Sequence, residues 1–126
     1  MLCDSNILIY AVHPSDTLCK DFIASRGIAI ASVTRIGVLG YPGFRDMSET
    51  SKQRLRDLLL SLKSLDLTES VIDRAIQMRQ QRLMGLADAI VAGTALVHDM
   101  ELATRNIADF KNIPGLRQVN PYADPS

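Results

Sequence analysis

The sequence has only two cysteines, three tyrosines, three phenylalanines and no tryptophan, and neither sign of charge is in excess. Two cysteines, Cys3 and Cys19, are more typical of free thiols in a reducing cytoplasm than of a disulfide framework. No apolar run approaches the roughly 20 residues that a membrane-spanning helix needs. The N-terminus lacks a basic segment followed by an apolar stretch and a cleavage site. We therefore expect a cytoplasmic protein without a secretion signal or a membrane partner.

The balance of charge limits the partners. Basic and acidic residues number 14 each, so the formal net charge is zero. Proteins that hold nucleic acid mainly through its phosphates usually carry a basic excess, so tight non-specific coating of nucleic acid is not expected. A basic rim around clustered acids remains compatible with the balance. A net charge near zero also favours self-association, and the few aromatic rings make base stacking a minor prospect.

The 126 residues show no internal repeat or linker and predict one domain, residues 1–126. Short apolar strands alternate with helices, which predicts an α/β fold: a mostly parallel central sheet of about five short strands flanked by helices. The predicted strands cover residues 1–3, 28–32, 65–67, 102–104 and 116–120. In such sheets, ligands bind outside the carboxyl ends of the strands.

Three aspartates lie among apolar residues near that edge. Asp4 directly follows the first strand, Asp88 begins an apolar helix, and Asp109 follows the fourth strand together with Asn106. Taken singly, Asp4 or Asp88 can be a helix cap, Asp109 a solvated loop residue and Asn106 a turn residue. Taken together, buried carboxylates need a compensating cation, and carboxylate oxygens suit Mg²⁺ or Mn²⁺.

Other site chemistries find no support in the sequence. His13 and His98 are isolated, so no zinc-ligand spacing is present. There is no glycine-rich phosphate loop. A phosphotransfer domain of the receiver or haloacid-phosphatase kind also places Asp at strand ends. A haloacid phosphatase needs a second acid at the position of Asn6. A receiver domain needs a lysine at the end of a late strand, and this sequence has no evident one.

Four segments together resemble the PIN domain, and more narrowly the VapC-type toxins of bacterial toxin–antitoxin modules. These segments are Asp4–Leu8, Ser32–Thr34, Leu86–Ala92 and Thr104–Phe110. The resemblance covers nearly the whole chain and implies a PIN-like three-layer fold. It also implies a Mg²⁺- or Mn²⁺-dependent endoribonuclease toxin of a type II toxin–antitoxin system, which cleaves RNA phosphodiester bonds. Such a toxin is held inactive by a cognate antitoxin and forms a homodimer.

The resemblance also assigns roles to individual positions. Asp4 and Asp88 correspond to core metal ligands, and Asp109 to a third catalytic acid that often acts through water. The supporting positions are Ser5, Asn6, Thr104 and Asn106.

One position departs from the family pattern. The family places a glutamate where this chain has Gly37, and glycine supplies no ligand. We therefore predict strongly impaired activity, either as a full loss or as slow activity from a weakly held metal. The alternative is a catalytically inactive PIN-like module that binds antitoxin, RNA or both.

Partner surfaces are less specific in the sequence. Arg79, Arg82 and Arg105 are candidates for RNA binding near the acids, although each alone also suits a solvated surface. The leucine-rich helix 48–62 and the apolar loop 41–44 suggest a groove for an antitoxin helix or a dimer contact, or simply core.

Overall fold

A computed structural model describes residues 1–13 and 18–122 of the chain. Its centre is a five-stranded sheet in the order β3-β2-β1-β4-β5, and every neighbouring pair is parallel. The strands are β1 Leu2–Cys3, β2 Ala29–Ala31, β3 Lys63–Leu65, β4 Leu102–Ala103 and β5 Gln118–Val119. The predicted parallel α/β fold is therefore confirmed.

Six α-helices connect these strands within the described residues. They are α1 Ser5–Ala11, α2 Leu18–Ala24, α3 Thr34–Leu39, α4 Glu49–Ser61, α5 Glu69–Gln81 and α6 Leu86–Val97. Two short 3-10 helices span Pro42–Asp46 and Ile107–Phe110. None of the helices in the described residues is long and apolar enough to cross a membrane. The predicted helix start at 14–16 lies outside the described residues.

Successive strand residues face opposite sides of the sheet, and this alternation produces two apolar layers. On one side Cys3, Ile30 and Ala103 pack with helices α1 to α4. On the other side Leu2 and Leu102 pack with α5, α6 and Phe110. The sheet is thus covered on both faces, as expected for a parallel sheet whose strands are apolar throughout.

Three local predictions were wrong. The third strand is Lys63–Leu65 rather than 65–67, because its pairing with β2 fixes the register at Ala29↔Lys63. Gly85 was predicted to end the helix before it, but α5 already ends at Gln81 and Gly85 is the N-cap of α6. Thr34 was expected to cap α3, but Val33 occupies the N-cap position and no side chain caps that helix.

The order in which strands are added to the sheet changes side between β1 and β4. The connection after β1 leads to β2 on one side, and the connection after β4 leads to β5 on the other. A crevice opens at such a switch point, outside the carboxyl ends of the two strands. Asp4 and Thr104 are the residues that directly follow these strands.

Candidate metal centre

Asp4 lies at the switch point and is 7% exposed. It is the N-cap of α1, and its Oδ1 accepts a hydrogen bond from the Ser5 backbone N–H at 2.8 Å. Its Oδ2 accepts a buried hydrogen bond from the Thr104 hydroxyl at 2.9 Å. The Asn106 backbone N–H donates in turn to Thr104 Oγ1 at 2.9 Å. The cap interpretation of Asp4 is therefore correct, but one carboxylate oxygen is also fixed from the fourth strand.

The pKa of Asp4 reports the balance at this position. Burial raises the pKa, the hydrogen bonds from Thr104 and Ser5 lower it, and the charge of Asp109 raises it again. The net direction is upward, so two donors do not fully compensate the loss of solvent around the carboxylate. A cation would supply the missing compensation.

Asp88 lies in the first turn of α6 and is half-buried. Burial raises its pKa, and the negative charges of Asp4 and Asp109 raise it further. These charge effects require the three carboxylates to lie within electrostatic reach of one another. The N-terminal end of α6 also carries a positive partial charge, which favours an acid there.

Asp4 and Asp88 line one cavity of about 320 Å³, together with Ser5, Thr34 and Gly37. A Cβ atom added at Gly37 would lie 3.5 Å from Ser5 Cβ and 3.7 Å from Ser5 Oγ. These are ordinary van der Waals distances, so the backbone leaves room for a side chain at position 37. The residue that departs from the family pattern thus lies in the same cavity as the two acids.

Thr34, one of the residues that line this cavity, has an unsatisfied polar atom. The residue is 4% exposed, and its Oγ1 is buried with no hydrogen-bond partner among the described residues. Buried hydroxyls are normally hydrogen-bonded, so an unpaired one indicates a missing ligand, ion or water. Thr34 is the first residue of α3 and lies one helical turn before Gly37.

Asp109 lies apart from the cavity wall. It belongs to the 3-10 helix Ile107–Phe110, its side chain is exposed, and it is not among the residues that line the cavity. Within residues 1–13 and 18–122, no three His, Cys, Asp or Glu side chains are grouped closely enough to hold a metal ion. The residues that line the cavity therefore offer two carboxylates, of Asp4 and Asp88, and two hydroxyls, of Ser5 and Thr34. Mg²⁺ is commonly bound through one or two carboxylates with water in its other positions, so this set fits such an ion.

The three candidate arginines already have intramolecular partners. Arg79 Nε donates to the Met84 carbonyl at 3.1 Å, and Arg82 Nη1 donates to the Asn112 carbonyl at 3.4 Å. The Arg105 guanidinium lies 4.4 Å from the ring centre of Tyr10 and 4.0 Å from that of Tyr122. Such a double cation–π contact fixes the chain beside Thr104 and Asn106.

Two features of this site were missed by the sequence interpretation. Thr34 was assigned only to a helix cap, although its place after a strand and one turn before Gly37 puts it at the sheet edge. The contact of Arg105 with Tyr10 and Tyr122 has no sequence signal, because neither tyrosine is a near neighbour of Arg105 in the sequence. The supporting positions Ser5, Thr104 and Asn106 do contact the acid or its partner, but Asn106 does so through its backbone N–H rather than its side chain.

The fold and the cavity define a parallel α/β domain with buried aspartates at the carboxyl edge of its sheet. A model of the PIN domain family matches residues 1–116. The chain belongs to the PIN domain family.

Solved structures share this fold. The chain is 31% identical to a chain of a toxin–antitoxin complex from Klebsiella pneumoniae, with 98% of each chain covered and a TM-score of 0.78. It is 22% identical to a chain of VapBC2 from Rickettsia felis bound to a promoter DNA fragment, with coverages of 94% and 96% and a TM-score of 0.76. It is 21% identical to a chain of FitAcB from Neisseria gonorrhoeae, with coverages of 98% and 99% and a TM-score of 0.74. A search of curated proteins finds no match.

Proposed function

We propose that this chain is the toxin of a type II toxin–antitoxin module, built as a Mg²⁺- or Mn²⁺-dependent endoribonuclease and impaired by Gly37. The observation that carries the proposal is the shared cavity of Asp4 and Asp88 at the carboxyl edge of the sheet. The proposal is further supported by the 31% identity, over 98% of each chain, to a chain of the toxin–antitoxin complex from Klebsiella pneumoniae.

The chemistry follows from the donor set. A divalent cation bound there would activate water and neutralise the charge that develops on a phosphodiester. Asp4 is oriented by Ser5 and Thr104, which leaves its remaining lone pairs available to a ligand. Asp88 faces the same cavity from α6, so the two carboxylates approach a ligand from different elements. We assign to Asp109, which is exposed and does not line the cavity, a role through water.

Glycine at position 37 is compatible with both an impaired enzyme and an inactive module. A glutamate there would add a third carboxylate to the cavity, and no described acid other than Asp4 and Asp88 lines it. The inactive alternative, a module that binds antitoxin or RNA without cleavage, is favoured by the same observation. The two differ in whether the remaining acids still bind a cation and cleave slowly.

Cleavage of a mixed pool of transfer and messenger RNA in the presence of Mn²⁺ tests the proposal. The comparison includes the natural chain, Gly37→Glu, and Asp88→Asn as the blank. Slow cleavage by the natural chain that rises in Gly37→Glu and vanishes in Asp88→Asn supports an impaired nuclease. An inactive natural chain whose Gly37→Glu variant cleaves supports loss at one ligand. The nuclease assignment fails if Gly37→Glu gains neither cation binding nor cleavage.

RNA contacts by Arg79, Arg82 and Arg105 remain part of the proposal. Each guanidinium has five N–H donors, and the contacts described above use only some of those of Arg79 and Arg82. We expect them to contact phosphates rather than bases, so their loss should weaken binding of all RNA sequences alike.

The proposed antitoxin surface is smaller than the sequence suggests. In α4 and the preceding loop, Leu55 and Leu59 are buried, and Phe44 and Leu58 pack partly buried against the core. Leu60 is the exposed leucine of this helix, at 85% exposure. Most of the leucines are therefore core, which leaves an antitoxin only the outer surface of this region.

A homodimer contact is proposed on the face of α5 and α6. An apolar cavity of about 490 Å³ there is lined by exposed Leu67, Ile76 and Leu86. Leu86 and Ile90 also line the acid cavity, so the apolar surface continues into the site. Sedimentation of Ile76→Glu, with Leu60→Glu on α4 as the control, tests this. Only the first should shift a dimer to monomer, and a shift with neither or with both rejects this face.

A further inference from the structure

Thr34 has no assigned role in the structure, although its place is unusual. Its hydroxyl is buried and lacks a partner among the described residues, and the residue lines the same cavity as Asp4 and Asp88. Leaving a buried hydroxyl unpaired costs about 1–3 kcal/mol in general. An isosteric apolar residue such as valine would avoid that cost. The position is therefore suboptimal for stability unless the oxygen has a ligand that binds in the cavity.

The surroundings indicate which ligand that is. The cavity is lined by two carboxylates, those of Asp4 and Asp88, and by no basic side chain of the described residues. A site with excess negative charge attracts a cation, not an anion. Hydroxyl, carboxylate and water oxygens are the donors that hard divalent cations accept.

We propose that the Thr34 hydroxyl is an oxygen ligand of the divalent cation held by Asp4 and Asp88, and that it partly replaces the carboxylate that Gly37 lacks. The inference rests on the proposed function, since it concerns the same cavity. Thr34 and Gly37 are three residues apart on α3 and line the same wall. A neutral oxygen from the first turn of α3 thus lies near the place from which a glutamate at position 37 would extend.

A neutral ligand has a distinct consequence for the site. It contributes a coordinating oxygen without adding to the repulsion between Asp4 and Asp88. The cation is then held by two negative charges instead of three, so binding is weaker than in a site with a glutamate. Replacing Gly37 with glutamate should make the Thr34 hydroxyl less important, because the added carboxylate supplies the missing oxygen.

The test measures Mn²⁺ binding by electron paramagnetic resonance of the free ion, with thermal denaturation in chelator as a second readout. Thr34→Val removes the hydroxyl at constant shape, and Thr34→Ser retains it. Thr94→Val is the matched control, because Thr94 is equally buried but its hydroxyl donates to the Ile90 carbonyl at 2.7 Å.

We expect Thr34→Val to weaken Mn²⁺ binding by about tenfold, the lower end of the usual effect of groups that support a metal. Its metal-free melting temperature should stay equal or rise, because an unpaired buried hydroxyl is removed. Thr34→Ser should bind within about threefold of the natural chain, on the same scale. Thr94→Val should melt lower and bind Mn²⁺ unchanged.

Three outcomes overturn the proposal. The first is that Thr34→Val binds Mn²⁺ as tightly as the natural chain. The second is that Thr34→Ser loses as much affinity as Thr34→Val. The third is that the loss of affinity caused by Thr34→Val does not become smaller in the background of Gly37→Glu. If the natural chain binds no Mn²⁺ while Gly37→Glu does, this inference fails and the proposed function stands as loss at one ligand. If neither binds Mn²⁺, both fail. If the natural chain binds and only the Thr34 variants show no effect, the metal site stands and the Thr34 assignment alone is rejected.

Discussion

Restoring an acid at position 37 provides the sharpest perturbation of this cavity. In Gly37→Glu, the new Cβ would lie at ordinary contact distances of 3.5 and 3.7 Å from Ser5 Cβ and Oγ. No backbone shift is therefore needed. Replacing a helical glycine stabilises the helix by about 0.5–1 kcal/mol. Against this, a third carboxylate beside Asp4 and Asp88 is repelled, and a repulsion worth one pKa unit is about 1.4 kcal/mol.

The two effects nearly cancel without metal, so Gly37→Glu should unfold within about 1 kcal/mol of the natural chain in chelator. Gly37→Gln is the matched control, because it has the same shape and lacks the charge. It keeps the helix gain without the repulsion, so it should be more stable than the natural chain by about 0.5–1 kcal/mol and more stable than Gly37→Glu by about 1.4 kcal/mol.

Saturating Mn²⁺ should reverse this order. We expect Gly37→Glu to bind Mn²⁺ at least about tenfold more tightly than the natural chain, which is about 1.4 kcal/mol of additional stability. For a chain of this size that corresponds to about 5 °C in melting temperature. Isothermal titration and thermal denaturation with and without Mn²⁺ measure both quantities. Equal Mn²⁺ affinities for the Glu and Gln variants would refute the reasoning, because charge at position 37 would then be irrelevant to the ion.

The remaining predictions concern the supports of the site. Thr104→Val should lower the free energy of unfolding by about 1–3 kcal/mol in urea titrations, because Asp4 loses a buried donor; an unchanged midpoint would show that this bond is unimportant. Gly93→Ala should cost about 1–3 kcal/mol, since its Cβ would lie 3.1 Å from the Val71 carbonyl oxygen between α5 and α6; an increase in stability would contradict this packing. The pKa values of Asp4 and Asp88 are raised, so in chelator the folded state binds protons more readily than the unfolded state. These two groups therefore make the protein less stable as pH rises from the ordinary Asp pKa of 3.8 through the raised values. Asp88→Asn should flatten that part of the profile in melts across pH, and an identical slope in the variant would contradict the assignment.

The sequence was most informative where a strand ends. Short apolar strands followed by polar residues predicted the parallel sheet and placed Asp4 and Thr104 at its carboxyl edge, and the structure has both there. This succeeds because chain direction alone fixes which end of every parallel strand meets the edge. The exact strand bounds were less accurate, since the register of β3 depends on its pairing with Ala29–Ala31 and not on its own residues.

Distances between remote residues could not be predicted from the sequence. Asp88 and Asp4 share a cavity, whereas Asp109 reaches them only through its charge, and no local pattern distinguishes these two cases. The stacking of Arg105 on Tyr10 and Tyr122 is equally non-local. Arg105 was expected to face solvent or RNA, but its flat guanidinium packs against the exposed ring of Tyr10 and the half-buried ring of Tyr122.

With glycine at position 37 the cavity has two carboxylates, and the hydrogen bonds that orient Asp4 are present. Thr104 still donates to Asp4, and Asn106 still holds Thr104 through its backbone N–H. Such bonds stabilise a buried carboxylate only in part, because the pKa of Asp4 remains raised. A binding module with no cation would be more stable with a neutral residue such as asparagine at position 4, since an amide avoids the desolvation of a charge. The retained pair of acids therefore favours a chain that still binds a cation over one that has only kept the fold, and Asp4→Asn, if it binds Mn²⁺ as well as the natural chain, would contradict that conclusion.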